Sequence, residues 1–186
     1  MRPLKKLYQA VFATLVIAVL MTATTLNVFG APRSADREAE ENNNTQFSAT
    51  LSGFNETPQT IFSSGTGTFT ATLSDDGTSL TYTLSYTGLT GAFGAHIHLG
   101  APGTSGGVAA FLCGGGGKPT CPASSGTVTG TITAADVRDL SAAQGLAAGN
   151  FAGLIASMRA GATYANVHTG AHGGGEIRGP ITIGED

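Results

Sequence analysis

Residues 65–89 read "GTGTFTATLSDDGTSLTYTLSYTGL", and the period of this stretch decides the fold. Thr68, Thr70 and Thr72 alternate with Phe69, Ala71 and Leu73, and Leu80, Tyr82, Leu84 and Tyr86 share one parity in the second half. A two-residue period sends successive side chains to opposite faces of a strand, one face for a core and one for water. Between the halves stands Asp76-Gly77, a hairpin signal because glycine takes positive φ at no steric cost. Two antiparallel strands joined by a tight turn are expected here.

The same alternation recurs outward from this hairpin, in "QFSATLSG" before it and in "AHIHL", "GGVAAFL", "GTVTGTIT", "ATYANVH" and "GEIRGPITI" after it, for seven or eight strands in all. Two segments carry helix signals instead. "TAADVRDL" has Thr133 as N-cap with Asp136 three residues on, and "NFAGLIASMRAG" has Asn150 as N-cap and Gly161 as its stop. In the second, Phe151, Leu154, Ile155 and Met158 recur on one helical face and belong to a core. Strands and helices do not alternate along the chain, which argues against an α/β fold. An all-β antiparallel β-sandwich, immunoglobulin-like or superoxide-dismutase-like, with two short helices is expected.

The flanks set the compartment. Residues 1–31 place Arg2, Lys5 and Lys6 ahead of an apolar run from Leu7 to Leu20. This is the pattern of a signal peptide, or, uncleaved, of an N-terminal anchor that would be the chain's one link to a membrane. Residues 32–45, "PRSADREAEENNNT", contain no apolar side chain larger than alanine and are expected to form a disordered linker. The domain is then 46–186, outside the cytoplasm: secreted, periplasmic or at the cell surface. It carries four basic against eight acidic side chains, so it lacks the basic face that nucleic acid requires. Cys113 and Cys121 are the only cysteines; in an oxidising compartment the expected state is a disulfide, with a pair of thiolate metal ligands as the rival.

All four histidines fall in two short segments, "AHIHLGAPG" (95–103) and "NVHTGAHGGGEIRG" (166–179). On a strand His96 and His98 share a face, and two side-by-side imidazoles suit one metal ion. His168 on a neighbouring strand would supply a third nitrogen, which makes copper or zinc the candidate cofactor. His172 is the weakest candidate ligand, because the glycines at 170 and 173–175 argue against a helix aligning it with His168. The competing reading makes these histidines hydrogen-bonded structural residues. Glu176 and Arg178 share a strand face, as an ion pair or as support behind a metal-bound histidine. "GTSGG" (103–107) matches the G-x-S-x-G form around Ser105, but a strand rather than a helix follows it, so a serine hydrolase is not expected. "GGGGKPT" fails as a phosphate loop because Leu112 stands where the first glycine belongs.

"LSGFNETP", the 65–89 hairpin, "AHIHLGAPGTSGGV", "CPASSGTVTGTITAADV" and "AGATYANVHTGAHGGGEIRGPI" together resemble, in order, the CHRD domain, named for its occurrence in chordin and found widely in exported microbial proteins. The likeness spans about residues 46–183 and includes His96, His98, Gly100, Asn166, His168, Gly175, Glu176, Arg178 and Gly179. At His172 the chain departs from the family pattern. The resemblance implies an exported domain and places Asn166 with Glu176 and Arg178 around the histidines. A His-x-His strand in a disulfide-bearing sandwich is also similar to copper/zinc superoxide dismutase. That likeness lacks a bridging histidine and a zinc loop with an aspartate ligand, and shared architecture does not carry activity. Two function classes follow: a non-catalytic extracytoplasmic binding module with a histidine metal site, whose partner would be a protein, a glycan or the metal ion, and a mononuclear copper/zinc redox metalloenzyme.

Overall fold

The computed structural model describes residues 45–184. The leader at 1–31, and the linker at 32–45 save for Thr45, lie outside them.

Nine strands form among the described residues: β1 (Gln46–Ser52), β2 (Thr66–Leu73), β3 (Ser79–Thr87), β4 (Ala92–Leu99), β5 (Gly107–Cys113), β6 (Gly126–Thr133), β7 (Thr163–Thr169), β8 (Ile177–Pro180) and β9 (Thr182–Ile183). The hairpin of β2 and β3 is in full register from Thr66↔Thr87 to Leu73↔Leu80. Its turn is held by Asp76 Oδ1, which accepts from Ser74 Oγ (2.6 Å) and from the Thr78 amide (3.1 Å), with Gly77 at φ +67°. The alternation is realised residue by residue: the even threonines of β2 face water while Phe69, Ala71 and Leu73 are buried.

All the named ladders are antiparallel, in the order β5-β4-β7-β8-β1-β2-β3-β6, with β9 also paired to β1. One sheet thus folds over on itself into a nearly closed sandwich, and its two end strands, β5 and β6, approach without a ladder between them. Between the two halves lie Phe47, Leu51, Phe69, Leu84, Ile97, Leu112, Ile132, Val167 and Ile177, all buried. The Tyr82 hydroxyl crosses this core to donate to the Leu112 carbonyl (2.6 Å), so its one polar atom is satisfied. Cys113 and Cys121 form a disulfide closing the loop after β5.

The helical segments differ from expectation in two places: at 133–140, and at Ser141–Gln144, where a helix forms that was not expected. "TAADVRDL" makes only a 3₁₀ turn at Ala134–Asp136. Asp136 accepts from the Thr133 amide (2.8 Å) as a capping box would, but Lys118 reaches it as well (2.6 Å), and the Arg138 amide donates to Ala109 on β5 (2.9 Å). That edge bond draws the chain out of a helical path after one turn. Helix α1 follows at Ser141–Gln144, and α2 spans Phe151–Arg159 with Asn150 capping Gly153 (2.9 Å) and Phe151, Leu154, Ile155 and Met158 buried. "GEIRGPITI" splits at Ile181 into β8, which ends on Pro180, and β9; proline has no amide to carry the ladder further. No helix among the described residues is long and apolar enough to cross a membrane.

Candidate metal centre

Strand β7 is buried along its whole length. Thr163, Ala165, Val167 and Thr169 point to the core by parity, so Tyr164, Asn166 and His168 point outward and are covered there by loops. Register then assembles the site: β4 pairs Gly94↔His168, His96↔Asn166 and His98↔Tyr164, and β8 sets Arg178 opposite Asn166. The side chains of His96, His98, Tyr164, Asn166, His168 and Arg178 therefore share one outer face. Two irregularities in the β4–β5 ladder, at Ala95/His96 and Ile97/His98, adjust the aim of the two β4 imidazoles, as bulges do beside functional sites.

His96, His98 and His168 each offer one ligand atom, and these atoms lie within 4.8 Å of one another, a group that could hold one metal ion once the rings draw in to bonds of about 2.0–2.1 Å. Backbone carbonyls orient two of the rings. His98 Nδ1 donates to Gly106 O (2.9 Å) and His168 Nδ1 donates to Gly173 O (3.0 Å), because a carbonyl can only accept. Each Nε2 is then left with its lone pair. His168 Nε2 meets His96 Nδ1 at 3.0 Å, whereas His98 Nε2 is buried with no partner among the described residues. Gly106 has to be glycine for this arrangement, since a Cβ there would fall 1.6 Å from Leu99 O.

The electrostatics keep the imidazoles neutral. Burial pushes His96 down to about 3, helped by repulsion from His168, His98 and Arg138. His98 falls to about 4, mainly through burial, with His168 and Arg178 adding to the effect and the Gly106 bond opposing it. His168 is lowered by burial against the Gly173 bond. Neutral imidazole is the form that binds metal.

Aromatic rings wall the cluster. Phe111 stands edge-on to His96 at 4.6 Å, Tyr164 stacks on His98 at 4.8 Å with the rings 6° from parallel, and Arg178 caps Tyr164 at 3.8 Å. Arg178 donates to Thr57 Oγ1 and to Thr104 O (2.9 Å), and Thr57 in turn bonds Ser105 Oγ (3.2 Å). Ser105 is therefore a loop hydroxyl followed by strand β5, with no elbow. Glu176 is placed away from Arg178: it accepts from Ser63 Oγ (2.6 Å) and Thr169 Oγ1 (2.6 Å). Asn166 lies beside His96 with its Oδ1 buried and without a partner among the described residues. His172 stands outside the three-histidine group. Its turn, closed by the His172 amide on Thr169 O (3.1 Å), sets it on the wall of a separate cleft of about 300 Å³ with Glu56.

Sequence reasoning missed Tyr164 and Glu56. Tyr164 was within reach, since in "ATYANVH" it shares parity with Asn166 and His168. Glu56 sits in the irregular stretch before Pro58, where no periodicity marks a side chain as buried.

The family model of the CHRD domain matches residues 47–181. No curated protein matches the chain.

Proposed function

The chain belongs to the CHRD-domain family, and from that premise we propose that it is a non-catalytic extracytoplasmic binding module whose His96, His98 and His168 hold one copper or zinc ion. The observation that carries the reading is His98 Nε2: a buried lone pair with no partner among the described residues, beside two further imidazole nitrogens within 4.8 Å. An unpartnered buried polar atom costs about 1–3 kcal/mol, and a metal ion would remove that cost. Main-chain carbonyls hold two of the rings in ligand-ready tautomers, the role outer partners fill at metal sites. Imidazole nitrogens suit both copper and zinc. The disulfide fits an oxidising compartment.

The non-catalytic part of the reading rests on Glu176. It is the natural candidate for a general base, and its oxygens are engaged by Ser63 and Thr169. The redox-enzyme alternative has one observation in its favour: His96 is only partly buried, which would leave the ion approachable.

The test is metal analysis of the full chain after stripping and reloading with copper or zinc, beside a His96→Ala, His98→Ala variant. One ion per chain, lost in the variant, is expected. No stoichiometric uptake would overturn the reading, and uptake with turnover of a small oxygen species would replace it by the enzyme.

A further inference from the structure

The cleft that His172 lines is a second feature, built differently from the histidine cluster. Its walls include Glu56, Thr57, Gln59 and Ile61 on one side and His172 with the glycine run to Gly175 on the other, around about 300 Å³. That is the lower end of the size range of small-ligand sites. Glu56 is 6 % exposed, and its Oε1 is the one buried carboxyl oxygen without a partner among the described residues. The glycine wall is main chain only: a Cβ added at Gly173 or Gly174 would meet nothing. A ligand can therefore lie against it without displacing a side chain.

The loop that supplies Glu56 also displays two aromatic rings to water. Phe62 is 92 % exposed and Phe54 63 %, and they meet edge to face at 6.2 Å. The Ile61 amide donates to Gly53 O (2.8 Å), which ties the two ends of this loop and keeps the pair together next to Ile61, itself a cleft residue. Exposed rings held in a fixed pair, one of them next in the chain to the cleft residue Ile61, suit a ligand with one apolar face and a rim of hydroxyls. The Arg178 charge acts on Glu56 and disfavours a cation in the same place, which leaves neutral hydroxyls as the donors to Oε1.

We propose that this cleft binds a neutral saccharide unit, with Glu56 accepting a sugar hydroxyl and the Phe54–Phe62 pair receiving the apolar face of the ring. Gln59 and His172 offer further polar contacts. The site does not depend on a metal at the histidines.

The experiment is isothermal titration of the full chain, stripped of metal with chelator, against neutral tetrasaccharides of glucose, mannose, xylose and N-acetylglucosamine. At least one is expected to bind. Phe62→Ala, which changes an exposed side chain, should weaken that binding by about tenfold, the loss of one good contact. Glu56→Ala should abolish it, and Glu56→Gln should hold it to within about threefold, because the amide oxygen accepts the same bond. Absence of binding across the panel up to about 10 mM overturns the proposal, that being the weak limit of specific recognition. So does unchanged affinity in Phe62→Ala or in a folded Glu56→Ala variant. Loss of binding in Glu56→Gln would show that the ligand needs the charge, and would overturn the neutral-sugar chemistry.

Discussion

Glu56→Gln should stabilise the protein in neutral solution and leave it unchanged in acid. Burial pushes the Glu56 carboxyl up to about 7 from its ordinary 4.5, against the opposing pull of Arg178 and of the Thr57 amide. In the folded chain the group therefore keeps its proton up to about pH 7, while in the unfolded chain it loses it near 4.5. The sign follows from proton linkage: between those values the folded state binds more protons, so stability falls as pH rises and levels off above the folded value. A gap of about 2.5 between 4.5 and 7 sets a ceiling of about 3 kcal/mol, at 1.36 kcal/mol per unit. Water at the cleft mouth screens the charge, and roughly half of that ceiling is the expected gain. The charge that acts on Glu56 is that of Arg178, and the substitution leaves it in place. Urea unfolding of wild type and variant at about pH 4, 6 and 8 measures the difference. Curves that coincide at the lowest pH and separate at the highest support the reasoning. A constant separation at every pH, or a variant less stable at the highest, would refute it.

Two further perturbations test the site and the staple. His98→Leu removes a bond to Gly106 and a stack on Tyr164 but also removes an unpartnered buried nitrogen, so metal-free stability should change by no more than about 1 kcal/mol. Metal at a hundred times its dissociation constant should add about 2.7 kcal/mol to the wild type and nothing to this variant, which calorimetric melting with and without chelator reads directly; an equal gain in both would place the metal elsewhere. Replacing Cys113 and Cys121 together by serine opens a loop of sequence separation 8 and should cost about 2.5 kcal/mol in the chain-entropy account, measured by denaturant unfolding; an unchanged midpoint would show that the loop is held by other contacts, such as Lys118 on Asp136.

Most of the architecture was legible because strand periodicity is a local property. The Thr/Phe and Thr/Leu alternations of β2 and β3 stand in the text, and the turn that joins them announces itself in Asp76-Gly77. The single helical turn at 134–136 was not legible as such, since the capping pattern of Thr133 and Asp136 is genuine and the bond that stops it comes from Ala109 on a distant strand. The same division holds at the site. His-x-His parity predicted that His96 and His98 share a face, and the adjacency of His168 depended on β4 pairing with β7, which the local pattern left open. Glu176 and Arg178 share parity in the sequence, yet Glu176 precedes the first residue of β8 and its carboxylate turns to Ser63 and Thr169. Parity governs side chains only while the ladder lasts.

The orientation of His98 and His168 by Gly106 and Gly173 also bears on how such sites are recognised. A carboxylate that aims an imidazole can be lost by one substitution and leaves a signature when it is kept. Here the aiming atoms are main-chain oxygens, so their readiness is inherited with the path of two loops, a path that at position 106 only glycine can follow. A search keyed to an acidic partner for each histidine would pass this centre by, whereas one keyed to loop shape would find it even after every side chain around the three rings had changed.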